Sequence, residues 1–188
     1  MIKNLFITGQ KRMGKSTLLR NQIKAVQHMT GGFFVQRLFI DGRCAAFRMA
    51  DITVEEYLPD LQVDTLDEYS DFISILEPNK TICLKTFENQ GSAILQKARM
   101  ERRIVLMDEL GRLEMKAPGF MEEVRRTLDS DVPVLGVMKK ESNPFLDSVR
   151  ARDDVRVLDL DDSSVPAVQR QVELFTEALN IRGEELLI

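Results

Sequence analysis

Among 188 residues the chain has one histidine, two cysteines and no tryptophan. With His28 as the only imidazole, a multi-histidine metal site and a histidine-centred triad are excluded; His28 itself reads as a solvated helix residue. Cys44 and Cys83 are too few for a disulfide scaffold. The apolar start, Leu5-Phe6-Ile7, is too short for the core of a secretory leader, so the expectation is a cytoplasmic protein with reduced thiols. No apolar run approaches the length that crosses a bilayer, which argues against a membrane partner. Cations are also in the minority: 26 Lys and Arg stand against 30 Asp and Glu, a net charge of -4. That balance argues against general nucleic-acid binding, which needs a basic face. There is no internal repeat and no low-complexity tract. With 44% hydrophobic and 30% charged residues, the composition is that of an ordinary folded chain, and the length suits a single domain over 1–188.

What is present begins at Gly9. Gly9-Gln10-Lys11-Arg12-Met13-Gly14-Lys15-Ser16-Thr17 fits G-x-x-x-x-G-K-[ST] at every fixed position. The two glycines permit backbone conformations that a Cβ obstructs, so successive N–H groups can turn inward onto phosphate oxygens. Lys15 is then expected to reach the β- and γ-phosphates, and Ser16 to ligate Mg²⁺. The apolar run before the loop has the pattern of a buried strand. Leu18-Leu19, Ile23 and Val26 after it suit one helix face, which places a helix N-terminus behind the anion.

Further along, Gly31-Gly32 reads as a helix stop. Phe33 to Met49, turning at Asp41-Gly42, reads as a β-hairpin whose arginines Arg37, Arg43 and Arg48 are expected to be solvated. Residues 51–79 carry nine acidic residues and no Lys or Arg. Although Leu58, Leu61, Val63, Leu66, Tyr69, Phe72 and Ile73 are interleaved, the stretch reads as an irregular acidic connection. A short strand is expected at Thr81 to Lys85, and a helix from Glu88 to Arg103. The next helix opens at Pro118-Gly119, and a strand runs from Pro133 to Met138. After them a short helix spans Phe145 to Arg152 and a strand Val155 to Leu160. A last helix starts near Ser164 and stops at Gly183. Strands alternating with helices imply an α/β fold with a mostly parallel sheet, to which the hairpin adds antiparallel pairing.

The second chemical stretch is Ile104-Val105-Leu106-Met107-Asp108-Glu109. Four apolar residues buried on both faces of a parallel sheet would deliver two carboxylates to its carboxyl edge, where the phosphates belong. Mg²⁺ takes oxygen ligands and keeps several waters, so one carboxylate suffices, and Asp108 fits. Glu109 is then free to orient the attacking water. Because neighbouring side chains of a regular strand face opposite ways, this division requires the strand to end near Asp108. Glu114 is a candidate to supplement Glu109. Arg112, Arg150, Arg152 or an arginine of another subunit could serve as an arginine finger, and Lys139 or Lys140 could sense the γ-phosphate.

These residues resemble a known family, the nucleoside-triphosphatases related to a thermophilic bacterial and archaeal enzyme and to the human cancer-related nucleoside-triphosphatase. The resemblance rests on Gly9 to Ser16, Gly32-Phe33-Phe34, Gly42-Arg43, Phe47 and Phe87-Glu88. It continues through Asp108-Glu109-Leu110-Gly111-Arg112-Leu113-Glu114, Pro133-Val134-Leu135-Gly136, Asn143-Pro144-Phe145 and Asp154-Val155. It implies a RecA-like P-loop NTPase fold of three layers. It also implies Mg²⁺-dependent hydrolysis of ATP, GTP or other nucleoside triphosphates to diphosphate and phosphate, with relaxed base choice. Carried over by position, Gly9 to Ser16 bind phosphate and Ile104 to Gly111 form a second nucleotide-contacting segment. Two departures stand out: Lys11-Arg12 replaces the family's usual Pro-Gly, and Asp161-Asp162-Ser163-Ser164 replaces its Asn-Arg pair. Two other uses of the same loop stay open: a kinase with a lid between Lys139 and Arg152, and a nucleotide-dependent switch acting on an unknown protein partner.

Overall fold

The computed structural model describes residues 2–11, 13–76 and 79–185, the side chains of 180–185 excepted. Arg12 of the phosphate loop and Glu77 of the acidic stretch lie outside the described residues. In chain order the first elements are β1 (Asn4–Thr8), α1 (Lys15–Ile23), a 3₁₀ turn (Lys24–Met29), β2 (Thr30–Ile40) and β3 (Arg43–Asp51). Then come β4 (Asp60–Gln62), β5 (Phe72–Ile75), β6 (Thr81–Ile82), a π-helical turn (Thr86–Gly91), α2 (Ser92–Glu101) and β7 (Ile104–Leu110). A second 3₁₀ turn (Leu113–Lys116), α3 (Pro118–Asp129), β8 (Val134–Met138), α4 (Pro144–Arg150), β9 (Val155–Asp159) and α5 (Val165–Glu185) complete the order.

Among the described residues nine strands join one sheet, ordered β6-β5-β3-β2-β7-β8-β1-β9, with β4 alongside β2. From β2 to β9 every pairing is parallel; β2 to β6 pair antiparallel in succession through β3 and β5. Alternation along the parallel strands divides the core. Phe6, Val105, Met107, Val134 and Met138 pack with α2, α3 and α4, burying Leu95, Phe120 and Leu146. Leu5, Ile7, Ile104, Leu106, Leu135 and Val137 pack with Leu18 and Leu19 of α1 and Val168 and Val172 of α5. The result is the expected three-layer α/β/α arrangement, in which the strands buried on both faces carry runs of consecutive apolar residues.

Several expectations need correction. Gly31-Gly32 does not stop a helix: α1 ends at Ile23, and both glycines lie inside β2. Gly32 has φ +110°, and a Cβ there would lie 2.1 Å from the Leu106 carbonyl oxygen, so glycine is demanded by the close approach of β2 to β7. The hairpin is longer than Phe33 to Met49 and turns through Asp41 and Gly42, both at positive φ. Residues 51–76 are irregular over most of their length but not throughout. They hold β4 and β5, and their Val63, with Leu61, Leu66 and Tyr69, builds a small third core against Leu38 of β2 and Ala46 of β3. Arg48 is not solvated; it is buried against Gln36 Oε1 at 2.8 Å and ion-paired with Glu55. Finally, α5 runs through Gly183 to Glu185. Among the described residues no helix is long and apolar enough to cross a membrane.

Gly32→Ala is expected to cost about 3 kcal/mol or more, since it combines backbone strain with a main-chain clash. Urea unfolding of the purified variant measures this.

Candidate active site

The phosphate loop links β1 to α1 at the carboxyl edge of the sheet. Gly9 (φ +141°) and Gly14 (φ +82°) take conformations open to glycine, and Gly14 caps α1 by accepting from Leu18 N at 2.8 Å. Lys15 is buried at 9% exposure, its ammonium donating to Gly9 O at 2.9 Å and Gln10 O at 2.6 Å. Its charge is therefore held inside the loop, where phosphate oxygens would lie. Gln10, Lys11, Met13 and Thr17 are exposed, Ser16 is half-buried, and Arg12 lies outside the described residues.

Strand β7 stands two places from β1, with β8 between them. Ile104, Val105, Leu106 and Met107 have no exposed surface, so the structure places them in the core as the support of Asp108 and does not bring them to the loop surface. Ser16 Oγ donates to Asp108 Oδ1 at 3.3 Å, which joins the loop to the carboxylate strand. The strand continues past Asp108 to Leu110, but its pairing with β8 shifts register between those two residues. That shift replaces the expected strand end, and it lets Asp108 and Glu109 serve different partners. Glu109, half-exposed, lies 3.2 Å from Lys139 Nζ. Gly111 makes room for that lysine: a Cβ there would lie 2.9 Å from Lys139 Cδ.

Asp108 is 3% exposed, and burial pushes its carboxyl up to about 7, against the opposing hydrogen bond from Tyr57. Glu114, in the 3₁₀ turn after β7, is 4% exposed and is likewise pushed to about 7 by burial. Its Oε2 has no hydrogen-bond partner among the described residues. Ser16 and Asp108 suit Mg²⁺: both offer hard oxygens, from adjacent positions, and a divalent ion would favour the ionised form of a carboxyl that burial otherwise protonates. Among the described residues no group of three or more His, Cys, Asp or Glu gathers to hold a metal. Magnesium needs none when phosphates and water complete its sphere.

The candidate cations are distributed around this centre. Lys139 pairs with Glu109, whereas Lys140 bridges Asp159 at 2.8 Å and Asp161 at 2.9 Å. Asp161 also accepts from the loop's Gln10 N at 3.4 Å, so the residue in the family's Asn-Arg place joins the β9 side to the phosphate loop. Arg150 donates to Lys139 O at 2.7 Å and pairs with Asp147. Arg152 sits at the opposite edge of the sheet, paired with Asp129 and Asp154, and is not brought to the loop. Arg112 is exposed. Sequence reasoning missed one residue of the site altogether. Tyr57 is 3% exposed, and its hydroxyl donates to Asp108 Oδ2. Tyr57 lies 51 residues before its partner in a stretch whose acidity dominated the reading, so no local spacing pointed to it.

A phosphate loop between β1 and α1, a carboxylate strand one strand removed, and helices on both faces define a P-loop NTPase. The chain belongs, more narrowly, to the family described as NTPase, whose profile matches residues 4–172. It is 28% identical over 161 residues to nucleoside-triphosphatase THEP1 of Thermotoga sp. (strain RQ2), covering 85% of this chain and 87% of that one. Two solved structures are similar. The crystal structure of THEP1 from the hyperthermophile Aquifex aeolicus has a TM-score of 0.66 at 18% identity, covering 90% of this chain and 96% of that one. The solution structure of a human cancer-related nucleoside triphosphatase has a TM-score of 0.64 at 18% identity, covering 95% and 96%.

Unfolded carboxyls titrate near about 4. Between that value and about 7, folded Asp108 and Glu114 bind protons that the unfolded chain has released, so the stability of the nucleotide-free protein falls as pH rises across the window. Glu114→Gln is expected to shrink the drop in melting temperature between about pH 5 and about pH 8. Thermal melts of both proteins across that range check it.

Proposed function

We propose that the chain is a Mg²⁺-dependent nucleoside-triphosphatase that releases phosphate from nucleoside triphosphates with relaxed base choice. The observation that carries this reading is the Ser16–Asp108 hydrogen bond, which sets a metal-directed hydroxyl and carboxylate side by side at the root of the phosphate loop. The names of the THEP1 relatives support it.

In this reading Lys15 exchanges its carbonyl partners, Gly9 O and Gln10 O, for oxygens of the β- and γ-phosphates. The backbone N–H groups from Gly9 to Thr17 cradle the phosphates. Ser16 and Asp108 would hold Mg²⁺. When bound, the ion would supply positive charge to offset that of the phosphates. Glu109, oriented by Lys139, positions the attacking water and accepts its proton, so the products are a nucleoside diphosphate and inorganic phosphate. Glu114, buried five residues further on and pushed up to about 7, is the reserve acid or base. Asp159 and Asp161 are both engaged by Lys140 and so are tied down instead of being offered to a base edge, in keeping with relaxed base choice.

The same proposal takes 1–188 as one domain acting in the cytoplasm on nucleoside triphosphates, without a nucleic-acid or membrane partner. A single sheet through the nine strands of the described residues and a net charge of -4 support it. The kinase reading calls for free cations between Lys139 and Arg152. Lys139, Lys140, Arg150 and Arg152 are all paired instead, which favours water over a second substrate as acceptor.

Phosphate release measured on ATP, GTP, CTP and UTP, with and without Mg²⁺, is expected to be Mg²⁺-dependent with all four. A candidate-acceptor screen run beside it is expected to yield no phosphorylated product. Glu109→Gln is expected to bind nucleotide normally and lose about 10²- to 10⁴-fold in turnover. Unchanged turnover in that variant would move the water-directing role to Glu114.

A further inference from the structure

The segment that follows β3 is built as a strap. Asp51 Oδ1 accepts from Thr53 N at 2.8 Å and Thr53 Oγ1 at 2.7 Å, while Asp51 O accepts from Val54 N and Glu55 N. Ile52 N donates to Gly32 O at 3.1 Å, Glu55 pairs with buried Arg48, and Leu58 O accepts from Gln36 Nε2 at 2.7 Å. Three of these anchors, Gly32, Gln36 and Arg48, belong to β2 and β3. The acidic character of the stretch therefore has an internal use: Asp51 closes the turn and Glu55 satisfies an arginine that burial would otherwise leave unpaired.

Tyr57 lies between the anchors at Glu55 and Leu58. Its ring packs on Phe34, with centroids 5.0 Å apart, and Phe34 is the residue of β2 that pairs in register with Asp108 of β7. From that position the Tyr57 hydroxyl reaches Asp108 Oδ2, while Ser16 Oγ holds Oδ1. A carboxylate at the end of an aspartate can rotate about its last torsion, which has a broad minimum. Donors on both oxygens, one from the phosphate loop and one from the strap, remove that freedom.

We propose that Tyr57 is a positioning residue for the metal-directed carboxylate, fixing the rotamer in which Asp108 faces Ser16. This rests on the hydrolase reading above and adds to it that the antiparallel extension of the sheet takes part in building the metal side of the site. Tyr57 does not touch the nucleotide in this scheme. It acts through Asp108, as hydrogen-bond partners of metal ligands do elsewhere, where their loss costs about 10- to 100-fold in metal affinity.

Tyr57→Phe removes the hydroxyl and keeps the ring on Phe34, so the test separates positioning from packing. Binding of a fluorescent, slowly hydrolysed triphosphate analogue is followed while Mg²⁺ is titrated, beside binding of the same analogue in chelator. The variant is expected to need about tenfold more Mg²⁺ for half-maximal tightening, with affinity in chelator within about twofold of wild type. The Mg²⁺ concentration for half-maximal phosphate release is expected to rise in step. A half-saturation within about twofold of wild type, or an equal loss of affinity in chelator, overturns the role of Tyr57. Wild-type binding and turnover that ignore Mg²⁺ overturn the Mg²⁺ dependence in the proposed function and this role together, whereas a Mg²⁺ response shared equally by wild type and variant overturns this role alone.

Discussion

A carboxyl group at the end of four fully buried residues is a costly thing for a protein to keep, and the neighbourhood of Asp108 is arranged to satisfy it. Burial alone drives the group towards its neutral form. The hydroxyls of Ser16 and Tyr57 oppose that drift, one on each oxygen. The apolar run from Ile104 to Met107 is what makes the position dry, because it packs into both face cores and leaves β7 nowhere to go but straight to the carboxyl edge. The same run that stabilises the sheet thus sharpens the electrostatics at its tip. A charge on a dry carboxylate is worth more to a cation than one in water.

The strand between the two halves of the site has a connecting part. β8 pairs with β1 on one side and β7 on the other, and the two lysines that follow it diverge. Lys139 turns to Glu109, while Lys140 turns to Asp159 and Asp161, of which Asp161 holds the first N–H after Gly9. One dipeptide therefore pairs with Glu109 of β7 on one side and with the β9 loop on the other, and Asp161 carries the second link on to the phosphate loop. The small side of Gly111 is part of the same design, since any larger residue would meet the Lys139 stem.

How much of this was legible in the sequence follows from the range of each interaction. The β1-loop-α1 unit and the β7 run announce themselves through contiguous patterns: fixed glycines, a lysine and a hydroxyl, then an unbroken apolar stretch ending in two acids. Elements whose signals were local came out close to their places, including α3 after Pro118 and α4 after Asn143, whose side chain accepts from Leu146 N. What stayed hidden was long-range. Gly32 looks like a helix stop until β7 is seen to lie against it. Arg48 looks solvated until Glu55 and Gln36 are folded beside it. Tyr57 is an ordinary residue in an acidic stretch, and only strand pairing makes it a neighbour of Asp108. Charge density misled most, because it described the stretch as a whole and the structure uses its members one at a time.

The eleven residues of β2 serve two sheets' worth of partners along one edge. Thr30 to Phe34 pair with β7, and Arg37 to Phe39 pair with β4, while β3 runs along almost the whole of the other edge. In mechanical terms β2 is a beam common to the nucleotide core and the antiparallel extension, with no joint between them. The extension cannot swing as a lid without bending that beam and breaking ladder hydrogen bonds on both edges. The loops that follow β8 and β9 are held in another way, by the surface ion pairs of Lys139 and Lys140, which hold far less firmly than a strand ladder.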